Sequence, residues 1–141
     1  MEEILAYVKA VPAIVPVSKS AAAIVPVEVD GNGFNRACFL ISVGAFGTGA
    51  GMTCRVNEAA TSGGSQSAHS PSTSLTTVTS TSTGKVLAID IGINSTKPYM
   101  KLYGTCGTAA ILHSAVCLLY NGNLQDPNLD SVYPQYKRII S

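Results

Sequence analysis

Two histidines, four cysteines and a thin scatter of carboxylates are what this 141-residue chain offers for acid–base, nucleophilic or metal chemistry. His113 stands in an apolar run and reads as a hydrogen-bonded sheet residue, whereas His69 stands among serines and reads as a solvated loop residue. Asp90, His113 and one of the many serines supply the residue types of a nucleophilic triad, in which the imidazole takes the hydroxyl proton and the carboxylate orients the imidazole. The Gly-x-Ser-x-Gly elbow that presents such a serine does not occur. Cys38, Cys54, Cys106 and Cys117 lack the Cys-x-x-Cys spacing of a zinc or redox site, and Asp90, Asp126 and Asp130 do not follow a calcium loop. No enzymatic activity, no cofactor and no bound metal are expected.

Weaker motifs have plainer readings. Gly47-Thr48-Gly49-Ala50-Gly51 has the glycines of a phosphate loop but neither its lysine nor a following helix, because 52–57 alternates as a strand, so a flexible hairpin loop is expected. Asn94-Ser95-Thr96 matches a glycosylation acceptor, and without a secretory signal it reads as a polar turn. Tyr99 and Tyr103 fall on one face of a strand, where they either pack across strands or form a platform for a sugar ring.

Composition narrows the function classes further. Apolar residues make up 46% of the chain and charged residues 12%, about half the usual charged share of a soluble domain. Much of the surface is therefore neutral or covered by a neighbour. The 9 basic and 8 acidic residues are dispersed for a net charge of +1, which leaves no footprint for nucleic acid or an anionic membrane. Glu2 and Glu3 stand where a signal peptide would be basic, and Pro12, Pro16 and Pro26 interrupt any membrane-spanning stretch, so synthesis in the cytoplasm is expected. In that reducing setting the cysteines read as buried thiols; if oxidised, Cys38 with Cys54 or Cys106 with Cys117 are the neighbours in sequence.

The elements that must carry these residues are strands. Period-two alternation marks 36–43, 52–57, 85–93 and 99–106, and the most apolar run, 109–120, has Ile111, Leu112, Val116, Cys117, Leu118 and Leu119 on both faces, as expected of a strand that is central or is covered on its outer side as well. Gly107-Thr108 reads as a two-residue hairpin connection between the last two runs. The motif Ala-Ile-Val-Pro-Val occurs at 13–17 and again at 23–27; its prolines remove ladder donors, so both copies suit sheet edges. Residues 59–84 carry no Lys, Arg, Asp or Glu, and 62–72 is expected to be a mobile surface loop, with 75–83 adding an edge strand. The result is an all-β antiparallel sandwich divided into 1–28, an extended arm with edge strands; 29–122, the core; and 123–141, a tail in which Asp126-Pro127 can start a helical turn.

The order of signals carries a resemblance. Val29-Asp30-Gly31 with Gly33-Phe34, then Phe39-Leu40-Ile41-Ser42-Val43-Gly44, Val86-Leu87-Ala88-Ile89-Asp90-Ile91 and Pro98-Tyr99-Met100-Lys101-Leu102, together with the apolar strand ending at Leu119, resemble the capsid cement, or decoration, proteins of tailed bacteriophages, a family represented in a Bordetella podophage. The likeness covers about two-thirds of the chain and consists of strand and turn patterns. It implies a jelly-roll-like sandwich on the outer surface of a virion capsid, bridging neighbouring major capsid protein subunits and associating with itself as a homodimer or other homo-oligomer, with no nucleic-acid or membrane partner. It supplies no catalytic residues. On this reading the partner-contacting residues are expected in the arm, at Ile4, Tyr7, Ile14 and Val15, and in the tail, at Val132, Tyr133, Tyr136, Ile139 and Ile140. The competing expectation is a carbohydrate-binding or adhesion module built on Tyr99 and Tyr103.

Overall fold

Alternation dictates the architecture, because side chains two apart on a strand share a face. Ala37, Phe39, Ile41 and Val43 are buried while their neighbours Cys38, Leu40 and Ser42 are not. Met52, Cys54 and Val56, and Met100, Leu102 and Cys106, repeat the pattern from the opposite layer. The computed structural model describes residues 8–19, 22–69, 75 and 78–122. Its strands are β1 (Lys9–Lys19), β2 (Ala22–Ala23), β3 (Val29–Asp30), β4 (Phe34–Phe46), β5 (Gly51–Ala59), β6 (Ser67–Ala68), β7 (Val86–Gly92), β8 (Tyr99–Gly107) and β9 (Ile111–Gly122).

These strands form two antiparallel sheets packed face to face. One is four-stranded in the order β1-β9-β4-β7; the other is ordered β2-β8-β5-β6, with β3 also paired to β8. The chain changes sheet between β1 and β2, β3 and β4, β4 and β5, and then at each step from β6 to β9. This alternating path is the double Greek-key winding of a jelly roll. The core lies between the layers and centres on Phe39, Ile41, Met52, Leu102, Ile111 and Leu119, all fully buried. Among the described residues no helix is long and apolar enough to cross a membrane.

The expected edges and centre are found. β9 is flanked by β1 and β4, and β1, which contains the first Ala-Ile-Val-Pro-Val copy, is an edge whose register slips between Pro12 and Ile14 and again before Val17. The second copy starts on β2 at the edge of the other sheet, and the Val27 amide donates to the Ala13 carbonyl (2.8 Å), so the two copies meet where the chain turns the corner between layers. Ala13, Ile14 and Ile24 belong to the core cluster, so residues of both copies pack inside the sandwich.

Several local expectations are corrected. Neither Gly107-Thr108 nor the Gly47–Gly51 segment closes a hairpin: β8 and β9 lie in different sheets, as do β4 and β5. β8 is already occupied by β5 on one side and by β2 and β3 on the other, so the chain arches over to the opposite layer. The Ala109 amide donates to the Gly107 carbonyl (2.8 Å) in a tight turn that forces Thr108 to φ 68°. The stretch expected to be mobile is anchored at 62–69, where Ser62 Oγ and the Gly63 amide both donate to the Glu28 carboxylate, β6 pairs with β5, and the His69 amide donates to the Val56 carbonyl. His69 is accordingly buried, not solvated. Among the described residues of 75–83, the expected edge strand is represented by the Leu75 amide bonded to the Cys54 carbonyl and one bridge between Val78 and Met52, followed by a 3-10 turn at Ser80–Ser82. All four cysteines are free thiols.

Candidate interaction surfaces

Each sheet turns one face to the core and one face outward, and the two outward faces differ in chemistry. On the four-stranded sheet the outward positions form cross-strand rows. Pro12 faces Val116, Val116 faces Leu40 and Leu40 faces Ala88, so one row crosses all four strands without a polar side chain. The neighbouring row runs Ala10, Leu118, Cys38 and ends on Asp90. Val116 is 45% exposed, Leu112 48% and Val86 62%. A solvated antiparallel face ordinarily alternates to polar residues at such positions; here it is apolar over a width of roughly 14 Å at the usual strand spacing.

A polar cluster borders this face at one end. Tyr120 Oη donates to both Asp90 carboxylate oxygens (2.8 and 2.9 Å), Arg36 Nη2 lies 3.1 Å from Asp90 Oδ1, and Arg36 Nε donates to Tyr120 Oη at 3.4 Å. The bond to Tyr120, more than the Asp90 charge, pushes the Arg36 pKa up, so the guanidinium stays charged. An apolar centre with hydrogen-bonded charges at its margin is the anatomy of a protein–protein interface.

The outward face of the other sheet is polar. Across the β5–β8 pair, Thr53 faces Thr105, Arg55 faces Tyr103 and Asn57 faces Lys101. The Arg55 guanidinium lies over the Tyr103 ring at 4.7 Å from its centroid, and the Thr53 and Thr105 hydroxyls are 3.3 Å apart. With Leu75 and Gly104 these side chains line a shallow depression of about 220 Å³. Gly104 is required there: a Cβ at that position would collide with the Thr53 carbonyl oxygen, so only glycine allows β8 to approach β5 this closely. At the end of the same sheet Glu28 is held below the usual carboxylate range by the bond from Ser62 and then by the Gly63 amide, with Lys101 Nζ 4.0 Å away.

The reactive side chains are distributed as follows. Asp90 is on the outward face of the four-stranded sheet, whereas His113 points into the core and donates from Nδ1 to the Ile111 carbonyl (2.9 Å), so the carboxylate and imidazole weighed for a triad stand on opposite faces. His69 Nε2 donates to the Gly92 carbonyl (2.9 Å) and lies 3.8 Å from Glu58 Oε2, both side chains being buried; the imidazole thereby ties the end of one sheet to β7 of the other. Burial pushes the Cys54 and Cys117 thiols up to about 12, and raises Cys38 as well. Among the described residues no group of three or more His, Cys, Asp or Glu side chains is placed to hold a metal ion.

Of the residues expected to contact partners, Ile14 is 1% exposed and belongs to the sandwich's own core, while its neighbour Val15 is 60% exposed. Ile4 and Tyr7, and Val132, Tyr133, Tyr136, Ile139 and Ile140, lie outside the described residues. The apolar outward row was not among the sequence-derived contacts. Its signal was nonetheless present in the two-sided apolarity of β9, which showed that the outer side needs cover without showing that Leu40, Ala88 and Pro12 complete the patch. The Arg55–Tyr103 stack depends on strand register across 48 positions of sequence and leaves no local signature. No family model matches the chain, and none of the curated proteins searched is significantly similar to it.

Proposed function

We propose that this chain is a structural protein that works by adhesion, with the outward face of its four-stranded sheet as the adhesive surface, and that its setting is the outside of a tailed-bacteriophage capsid, where it bridges neighbouring major capsid subunits. The observation that carries the first part is the apolar row Pro12–Val116–Leu40–Ala88 on a face that solvent would otherwise wet. The second part rests on the sequence resemblance to cement proteins, supported by the jelly-roll strand order, an architecture used by capsid proteins among others.

The mechanism is interface chemistry repeated by symmetry. Covering a half-exposed Val or Leu contributes about 1 kcal/mol at roughly 25 cal/mol per Å². Ordering and association costs offset much of this at a single contact. On a shell, many copies and more than one contact per copy make modest contacts cumulative. A low share of charged residues limits desolvation losses at the same surface.

The test is co-sedimentation of purified protein with capsid shells, followed by electron microscopy of the decorated particles. Stoichiometric density over the junctions between capsid subunits, lost on Val116→Lys with Leu40→Lys while the soluble protein stays folded, is the expected outcome. A chain that ignores shells overturns the capsid assignment; binding that survives both substitutions overturns the assignment of the face.

A further inference from the structure

We infer that the depression on the outward face of the β5–β8 pair is a binding site for an acidic saccharide, a sugar ring bearing a carboxylate. The inference does not rest on the capsid reading, because it concerns the opposite face of the sandwich.

Arg55 is the first reason. It makes no ion pair or hydrogen bond with any described residue, and its Nε is shielded from solvent without a partner. Stacking on Tyr103 explains how the guanidinium is held, since an aromatic face attracts a cation within about 6 Å of its centroid. The stack fixes the plane of the fork and leaves its donors unused. A planar guanidinium with free donors matches a carboxylate in two parallel bonds.

The surroundings choose the rest of the ligand. Tyr103 is 52% exposed, so ring area remains for an apolar sugar face beyond what Arg55 covers. The Thr53 and Thr105 hydroxyls, 3.3 Å apart, form an adjacent donor–acceptor pair suited to neighbouring sugar hydroxyls. Leu75 supplies an apolar side wall, and Gly104 lines the depression beside it.

An acidic peptide is the other ligand class with carboxylates, and the backbone argues against it. Extended peptides bind sheets by adding a strand to an open edge. Here β5 and β8 bond to each other throughout the site, and on the far side of β5 the Cys54 carbonyl and both Met52 groups are taken by Leu75 and Val78. Among the described residues, the polar groups that line the depression include a cation, a tyrosine ring and two hydroxyls, with Leu75 beside them.

The test uses the full chain and heteronuclear NMR titration with a glucuronate-containing disaccharide, its neutral glucose counterpart and a Glu-rich peptide. Shifts confined to β5 and β8, with the acidic sugar bound about tenfold or more tightly than the neutral one, are expected, and Arg55→Gln should erase that difference. Arg55→Lys, which keeps the charge and loses the planar stack, should recover only part of it. Tyr103→Ala should weaken both sugars, with far-UV circular dichroism confirming an intact fold. Failure to bind the acidic sugar, equal affinity for the neutral one, equal or tighter binding of the peptide, or indifference to Arg55→Gln overturns the proposal.

Discussion

The two outward faces of this sandwich are built by the same alternation on the same kind of strand, yet one is dressed as an interior and the other as a surface. On β9 and β4 the outward positions include Val116, Leu118, Cys38 and Leu40, flanked by the Ser42–Ser114 and Arg36–Tyr120 pairs; on β5 and β8 they include Thr53, Arg55, Tyr103 and Thr105. Folding does not explain the difference, since neither set enters the core. The contrast is what motivates the two proposals, an adhesive role for the apolar face and a small polar ligand for the other.

That contrast can be broken from several directions. The largest effect is expected on the frame of the polar sheet, where Gly104→Ala forces a methyl group against the Thr53 carbonyl. Denaturant unfolding should show a loss of about 3 kcal/mol or failure to fold, against less than about 0.5 kcal/mol for Ala88→Ser on the opposite outward face. Next comes association. Val116→Lys should weaken self-association or shell binding by about tenfold or more while Thr105→Lys leaves it unchanged, measured by sedimentation over a concentration series; equal effects at both sites would erase the functional distinction between the faces.

Smaller effects test the corners that join the layers. Thr108 carries a β-branched side chain at φ 68°, so Thr108→Gly should raise stability by about 1 kcal/mol, read as a higher denaturation midpoint with an unchanged slope. The smallest expected effect is at Glu28. Its folded pKa is depressed by Ser62 and Gly63, so the stability it contributes is complete above the unfolded value and is lost as pH falls through the folded one. The gap in thermal midpoint between the parent protein and Glu28→Gln should be present at neutral pH and close as pH falls through the depressed folded value. A gap that widens on acidification contradicts this anchor for the 62–63 turn.

The parts of this architecture that depend on period and on forbidden residues were legible in the sequence. Phe39, Ile41 and Val43 announce an inner face, Pro12 and Pro16 exclude β1 from the middle of a sheet, and the two-sided run ending at Tyr120 announces β9 as central. The crossings between layers were not legible, because Gly107-Thr108 turns the chain equally well into the same sheet or the opposite one. That choice depends on whether β8 has a free edge, a property of strands distant in sequence. His69 defeated the local reading for a related reason: its burial depends on the Val56 and Gly92 carbonyls, which polar neighbours in sequence do not reveal.

Cys38 offers the most direct measurement, since it lies in the apolar outward patch while Cys54, Cys106 and Cys117 are buried in the core. Maleimide labelling near neutral pH should modify Cys38 in the dilute free chain and spare the other three. When the chain is concentrated until it associates, or is bound to shells, Cys38 should become protected while a probe introduced by Thr105→Cys stays reactive. Association that leaves Cys38 open and shields the Thr105 position, or a chain that remains solitary at every concentration and on every shell, contradicts the assignment of the four-stranded face as the adhesive one.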